Sequence, residues 1–188
     1  MAEVVLFHHA LGLTPGCVAF ADTLRAAGHV VHTPDLFEGR TFTSVVAGVR
    51  HAEEVGFDTI VERGRRAVDA LPATVVPAGM SLGAMPAQMI VQTRPGAKGA
   101  LLLHGCVPLS FYGGSWPAGV PLQIHTMALD ELGDVHVAQE LVGAVEAAEL
   151  FLYPGDGHLF TDPASPDYDE AAAALVTRRA LEFLRRTG

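Results

Sequence analysis

Val75-Val76-Pro77-Ala78-Gly79-Met80-Ser81-Leu82-Gly83 carries a short β-branched run into a serine set between two glycines. A G-x-S-x-G turn reverses a strand into a helix so tightly that the serine takes a strained backbone conformation, and glycines flank it because side chains would collide. Such a turn presents a hydroxyl at the start of a helix, which makes Ser81 a candidate nucleophile. Glycine and serine at roughly 7% each would place the pattern by chance in about one chain of this length in twenty. Its surroundings therefore decide its meaning.

Thr74 to Ala78 is predicted as the strand feeding the turn, and Leu82 to Gln92 as the helix leaving it, closed by Arg94-Pro95-Gly96. The same alternation recurs on both sides. Ala2 to Phe7, His29 to Thr33, Gly99 to His104, Val120 to His125 and Glu149 to Tyr153 are apolar runs of strand length. Thr14-Pro15, a cap with proline in the first turn, opens a helix that stops at Gly28. Ser44 to Glu54, Asp58 to Leu71, Asp134 to Ala148 and Asp167 to Arg186 are predicted as further helices. Strands that read as continuous apolar runs and alternate with helices indicate a parallel sheet covered on both faces. The expected fold is a single α/β domain over residues 1–188, with a mostly parallel, doubly wound sheet of about six strands and no lid. A 2-1-3-4-5 strand order reverses between the first and third strands, and ligands bind at that switch point. Ser81 then stands beside the loop that follows the first strand.

Composition narrows the partners. A chain of 188 residues is long enough for a core without disulfides or metal, and Cys17 and Cys106 lack C-x-x-C spacing and suit a reducing compartment. They read as small buried apolar residues. The formal net charge is −9 with no basic cluster, which argues against nucleic acid or anionic lipid. The first residues lack a basic n-region and a long apolar run, so the expectation is a soluble cytoplasmic protein acting on a small molecule.

A serine hydroxyl needs a base to take its proton and a third group to orient that base. His158 sits just beyond the sixth strand in Tyr153-Pro154-Gly155-Asp156-Gly157-His158, a glycine-rich turn able to bring an imidazole back over the sheet edge. Asp130 follows the fifth strand, the right place for a carboxylate bonded to the other ring nitrogen. Its rivals are Asp134, better placed as a helix N-cap, Asp156, better read as a turn former, and Glu131. The chain order Ser81, Asp130, His158 is that of the α/β-hydrolase layout. Backbone N–H groups must also meet the developing oxyanion. Leu82 offers one, and Ala10 or Leu11 in the loop after the first strand offers the other. Aromatics in loops, Phe37, Phe42, Trp116 and Phe160, are expected to wall an open pocket, with Met80 beside the nucleophile.

At this point the chain resembles the dienelactone hydrolase family of α/β-hydrolases. The resemblance is carried by Leu6-Phe7-His8-His9-Ala10-Leu11-Gly12-Leu13-Thr14-Pro15-Gly16, by Ala27 through Thr41 with its Pro34-Asp35-Leu36-Phe37-Glu38-Gly39 core, by the serine turn, and by Tyr153 through Phe160. It implies hydrolysis of an ester or lactone without a cofactor, with the family's nucleophile, acid and base falling on Ser81, Asp130 and His158. Two departures stand out. Members best known for opening dienelactones carry cysteine where this chain has Ser81, and a glutamate in the first loop where this chain has His9, which makes His9 a pocket candidate. Arg40 is the nearest candidate for binding a substrate carboxylate.

Two other readings compete. Histidines near several predicted strand ends, His8, His9, His32, His104, His125 and His158, raise metal-assisted hydrolysis, although no H-x-H or H-E-x-x-H spacing is present and no bound metal is expected. A non-catalytic binding module on the same fold is the other, because fold does not fix function.

Overall fold

The computed structural model describes residues 1–188. Its sheet is built from β1 (Glu3–Phe7), β2 (Val30–His32), β3 (Val76–Met80), β4 (Ala100–Leu103), β5 (Leu122–Met127) and β6 (Ala148–Tyr153), in the spatial order β2-β1-β3-β4-β5-β6. Every neighbouring pair is parallel, so the expected mostly parallel sheet is parallel throughout. The order reverses between β1 and β3, which places the chain leaving β3 next to the chain leaving β1.

Six helices cover the sheet: α1 (Pro15–Ala26), α2 (Val45–Val55), α3 (Phe57–Ala67), α4 (Ala84–Thr93), α5 (Val135–Ala144) and α6 (Glu170–Thr187). Alternation along the strands divides the core in two. Val5, Phe7, Ala100, Leu102, Leu122 and Ile124 face one side with α2, α3, α4 and α5. Val4, Leu6, Leu101, Leu103, Met127 and Tyr153 face the other with α1 and α6. Both faces of the four central strands, β1, β3, β4 and β5, are thus dry, which is why they read as unbroken apolar runs.

Side-chain caps fix two of the six helix starts. Thr14 accepts from the Cys17 N–H at 3.2 Å with Pro15 in the first turn, and Asp169 accepts from Ala172 N–H at 2.9 Å, so α6 begins at Glu170 rather than at the predicted Asp167. Asp134 occupies the cap position of α5, yet its backbone is left-handed (φ 50°) and its side chain caps nothing. Two predicted helices are shorter than expected. α3 ends at Ala67, since the approach to Pro72 leaves the helical region through turns closed by Val68 and Leu71. α5 ends at Ala144, where Val145 turns extended and Ala148 pairs in register with Leu122. The helix expected from Leu82 begins as a 3-10 turn, Ser81–Gly83, before α4. No helix is long and apolar enough to cross a membrane.

Candidate active site

Ser81 has φ 48°, in the left-handed region that L-residues rarely occupy. Such a conformation costs on the order of 1–3 kcal/mol and persists only where the surroundings enforce it. The glycines supply that enforcement. A Cβ on Gly79 would overlap the Gly83 carbonyl, and one on Gly83 would overlap the Phe7 carbonyl. The turn is therefore pressed against both its own start and the end of β1, and the half-buried hydroxyl is lifted off the sheet.

Ser81 Oγ lies 2.7 Å from His158 Nε2, and His158 Nδ1 lies 2.8 Å from Asp130 Oδ2. Both His158 and Asp130 are buried. Asp130 is fixed by accepting the Leu132 N–H at 2.9 Å on its other oxygen, and Gly133 leaves the room, since a Cβ there would meet that carboxylate. The His158 N–H donates to Asp167 Oδ2 at 3.2 Å. Asp167 thus secures the loop that carries the imidazole. Asp134, Asp156 and Glu131 are all exposed, and none bonds to His158.

The loop after β1 supplies Ala10, which lines the same cavity as Ser81 and Leu82 and whose N–H has no partner within the chain. Leu82 stands in the first turn after the nucleophile, where N–H groups lack intrahelical acceptors. Leu11 is different: its N–H points at His9 Nδ1, 3.3 Å away, and not into the cavity. Of the two adjacent amides, that of Ala10 is the one left without a partner in the chain.

The cavity holds about 300 Å³. Its walls are Val45 and Val49 of α2, Phe57 of α3, Met85 of α4, Val107 and Leu132, together with His104, Cys106 and Asp134. The predicted aromatic walls lie elsewhere. Phe37 is fully buried, edge-on to His8 at 5.0 Å and to His51 at 4.8 Å, because Asp35 turns the loop inward by accepting the Phe37 N–H at 2.8 Å. Phe42 packs beside it at 6.0 Å. Phe160 is buried behind the base, 4.7 Å edge-on to His104, and Trp116 donates its indole N–H to the Val120 carbonyl at 2.7 Å. Met80 precedes Ser81 on a strand, so alternation sends its side chain to the α1 face of the sheet. Arg40 is exposed and lines no part of the cavity.

His9 also lies outside the cavity. It is fully buried, with Nε2 2.8 Å from Asp162 Oδ2 and 3.2 Å from Cys17 Sγ, while the Thr14 hydroxyl donates to the same Asp162 oxygen at 2.7 Å. Burial alone would lower the imidazole pKa; the Asp162 and Cys17 contacts outweigh it and raise it to about 9. The Leu11 amide makes the opposite demand, a lone pair on Nδ1. The Nε2–H bond to Asp162 is made in either protonation state, and it is the long 3.3 Å contact at Nδ1 that is given up when the ring takes its second proton beside the carboxylate. Asp162 is lowered to about 2: burial acts to raise it, and the bonds from His9, Ala164 and Thr14 more than offset this.

No three of the six candidate histidines converge. His8 is held between the His9 carbonyl and the Leu36 N–H, His32 bonds Glu3, His104 bonds Thr161, and His125 bonds Tyr153 and Gln123. The one group with ligand-like spacing is His9, Cys17 and Asp162. Its atoms are spaced as hydrogen-bonding partners, and the Asp162 oxygen already serves both His9 and Thr14.

Sequence reasoning missed Val45, Val49, Phe57, Met85 and Asp134 as cavity residues. Val45 and Val49 are four apart and so share a helix face, a visible signal. Which face of α2 turns toward Ser81 depends on tertiary packing. Asp162 carries no local signal at all.

A family model for the dienelactone hydrolase family matches residues 1–188. Several solved structures are similar. A dienelactone hydrolase-like promiscuous phosphotriesterase from metagenomic libraries superposes with a TM-score of 0.79 at 17% identity, covering 100% of this chain and 87% of that one. A dienelactone hydrolase from Anabaena variabilis gives 0.73 at 18% identity, with 99% and 87% covered. A cold-adapted esterase from an Arctic intertidal metagenomic library gives 0.63 at 19% identity, with 94% and 82% covered. At such identities the likeness speaks for the fold. No curated protein matches the sequence.

Proposed function

Because the chain belongs to the dienelactone hydrolase family, we propose that it is a serine hydrolase cleaving small carboxylic esters or lactones through an acyl-enzyme on Ser81. The observation that carries this reading is the continuous line Ser81 Oγ, His158 Nε2, His158 Nδ1, Asp130 Oδ2, with contacts of 2.7 and 2.8 Å. The similar structures described as an esterase and a phosphotriesterase support ester cleavage as the reaction type.

In this reading His158 takes the Ser81 proton as Oγ attacks the carbonyl carbon. The Asp130 carboxylate holds the ring with Nε2 toward the serine and stabilises the imidazolium. The oxyanion accepts from the Ala10 and Leu82 amides, which are fixed before the substrate arrives. His158 then passes its proton to the leaving oxygen, and the alcohol departs. Water, deprotonated by the same imidazole, attacks the acyl-enzyme and restores Ser81. With a lactone the leaving alcohol stays tethered to the acyl group. The two free cysteines, both buried, fit a reducing cytoplasm.

Turnover of short-chain aryl esters by wild type and Ser81→Ala tests the reading. A loss of about 10⁴-fold or more in kcat is expected. Undiminished turnover by the purified variant, with no fluorophosphonate adduct on wild-type Ser81, overturns it.

A further inference from the structure

We propose that the cavity selects esters with a short apolar acyl group and no negative charge, and that Asp134 makes it favour a substrate carrying a cation. This rests on the hydrolase reading of the same site and adds the substrate's charge to it.

The cavity walls give the apolar part. Val45, Val49, Phe57, Met85, Val107 and Leu132 leave about 300 Å³, at the low end for small-molecule pockets, and none of these six side chains carries a hydrogen-bonding group. Asp134 gives the charged part. It is the one carboxylate on this wall, and no lysine or arginine lines it. His104 is fully buried and kept neutral by desolvation, and burial pushes the Cys106 thiol up to about 12, so neither adds a positive or negative charge near pH 7.

The Asp134 carboxylate is also uncommitted. It occupies the cap position of α5 yet makes no side-chain cap bond, and it enters no ion pair. Its left-handed backbone carries a cost that capping does not repay. On the outer side of His158 a second hollow is lined by Asp130, Glu131, Asp156 and Asp167, again without lysine or arginine. Both approaches to the imidazole are therefore negative, in a chain of formal charge −9. A substrate anion meets repulsion from either side, while a cation meets an open carboxylate.

Three thioesters sharing a butyryl group test this: butyrylthiocholine, its neutral 3,3-dimethylbutyl isostere, and the 2-carboxyethyl thioester. Wild type is expected to rank cation, neutral, anion in kcat/KM, with about tenfold per step, the effect of one charge pair a few ångströms apart at intermediate dielectric. Asp134→Asn should compress the ranking several-fold, and Asp134→Lys should invert it. Asparagine tolerates the left-handed backbone as aspartate does. Each ratio is taken within one protein preparation, so partial loss of folded enzyme cancels. High salt should compress the wild-type ranking without any substitution. If the neutral thioester is turned over through Ser81 and the three rates are alike, or the ranking survives Asp134→Asn, the charge inference falls and the hydrolase reading stands. If none is turned over the inference falls too, and absence of fluorophosphonate labelling at Ser81 then takes the underlying reading with it.

Discussion

Asp162 holds His9 across 2.8 Å in the protein interior, joining the loop that leaves β1 to the loop that carries His158. Ala10 is the next residue after His9, and His158 is four residues before Asp162. One buried pair thus fixes the distance between the proposed oxyanion amide and the proposed base. Gly16 makes room for it, since a Cβ there would overlap the Asp162 carboxylate.

Asp162→Asn should destabilise the fold by about 3–5 kcal/mol, because removing one partner of a buried charged pair leaves the other uncompensated. Urea unfolding measures this directly. A change below about 1 kcal/mol would mean that the pair contributes little.

The same pair predicts a pH profile. His9 has a folded pKa of about 9, above its ordinary 6.5, so its contribution to stability is complete below pH 6.5 and is lost as pH rises through 9. Asp162, lowered to about 2 from 3.8, contributes fully above 3.8 and loses that contribution as pH falls through 2. The pair therefore contributes in full between about pH 4 and 6.5. Thermal unfolding of wild type should weaken from pH 7 to 10 more steeply than that of His9→Gln, and parallel curves would refute the assignment.

Asp130→Asn should lower kcat on a neutral ester by roughly 10²–10⁴-fold while leaving the fold intact, as expected when the group orienting a catalytic imidazole loses its charge. Asp134→Asn should do far less to a neutral ester. Steady-state kinetics of the two variants side by side separates the roles; equal losses would contradict the geometry.

Val49→Phe should fill the cavity from the α2 side. Val49 is 37% exposed, so the larger ring has room to form without breaking the core. The ratio of butyryl to acetyl ester kcat/KM should drop by about tenfold or more, in line with what one or two methylenes are worth in an apolar pocket. An unchanged ratio would place the acyl group elsewhere.

The strands and the serine turn were legible in the sequence, because each depends on a local pattern. The 2-1-3-4-5 order came from the habit of doubly wound sheets, and His158 and Asp130, read from their places after strand ends, do meet Ser81. The cavity walls were not. Phe37 looks like a loop aromatic free to face a ligand, but the inward turn at Asp35 and the His8 ring that accepts the Leu36 N–H draw it into the core. Val45 and Val49 look like ordinary core residues of a helix, and it is the packing of α2 over the switch point that turns them toward Ser81. Asp134 fits the local signature of a cap and stands at the cap position of α5, but with a left-handed backbone its side chain makes no cap bond. Asp162 meets His9 across a separation of 153 residues, which no local spacing encodes.

Residues 154–169 form neither helix nor strand, and three carboxylates fasten this segment or its ends: Asp130 on the His158 ring, Asp167 on the His158 N–H, and Asp162 on His9. Leu159 and Phe160 supply the apolar anchorage. The base thus rides on a strap held by a few side-chain ties rather than by a strand ladder or a helix. Loosening one tie, as in Asp162→Asn, should then free this segment before the sheet yields, with amide exchange rising first around Gly157 to Asp162.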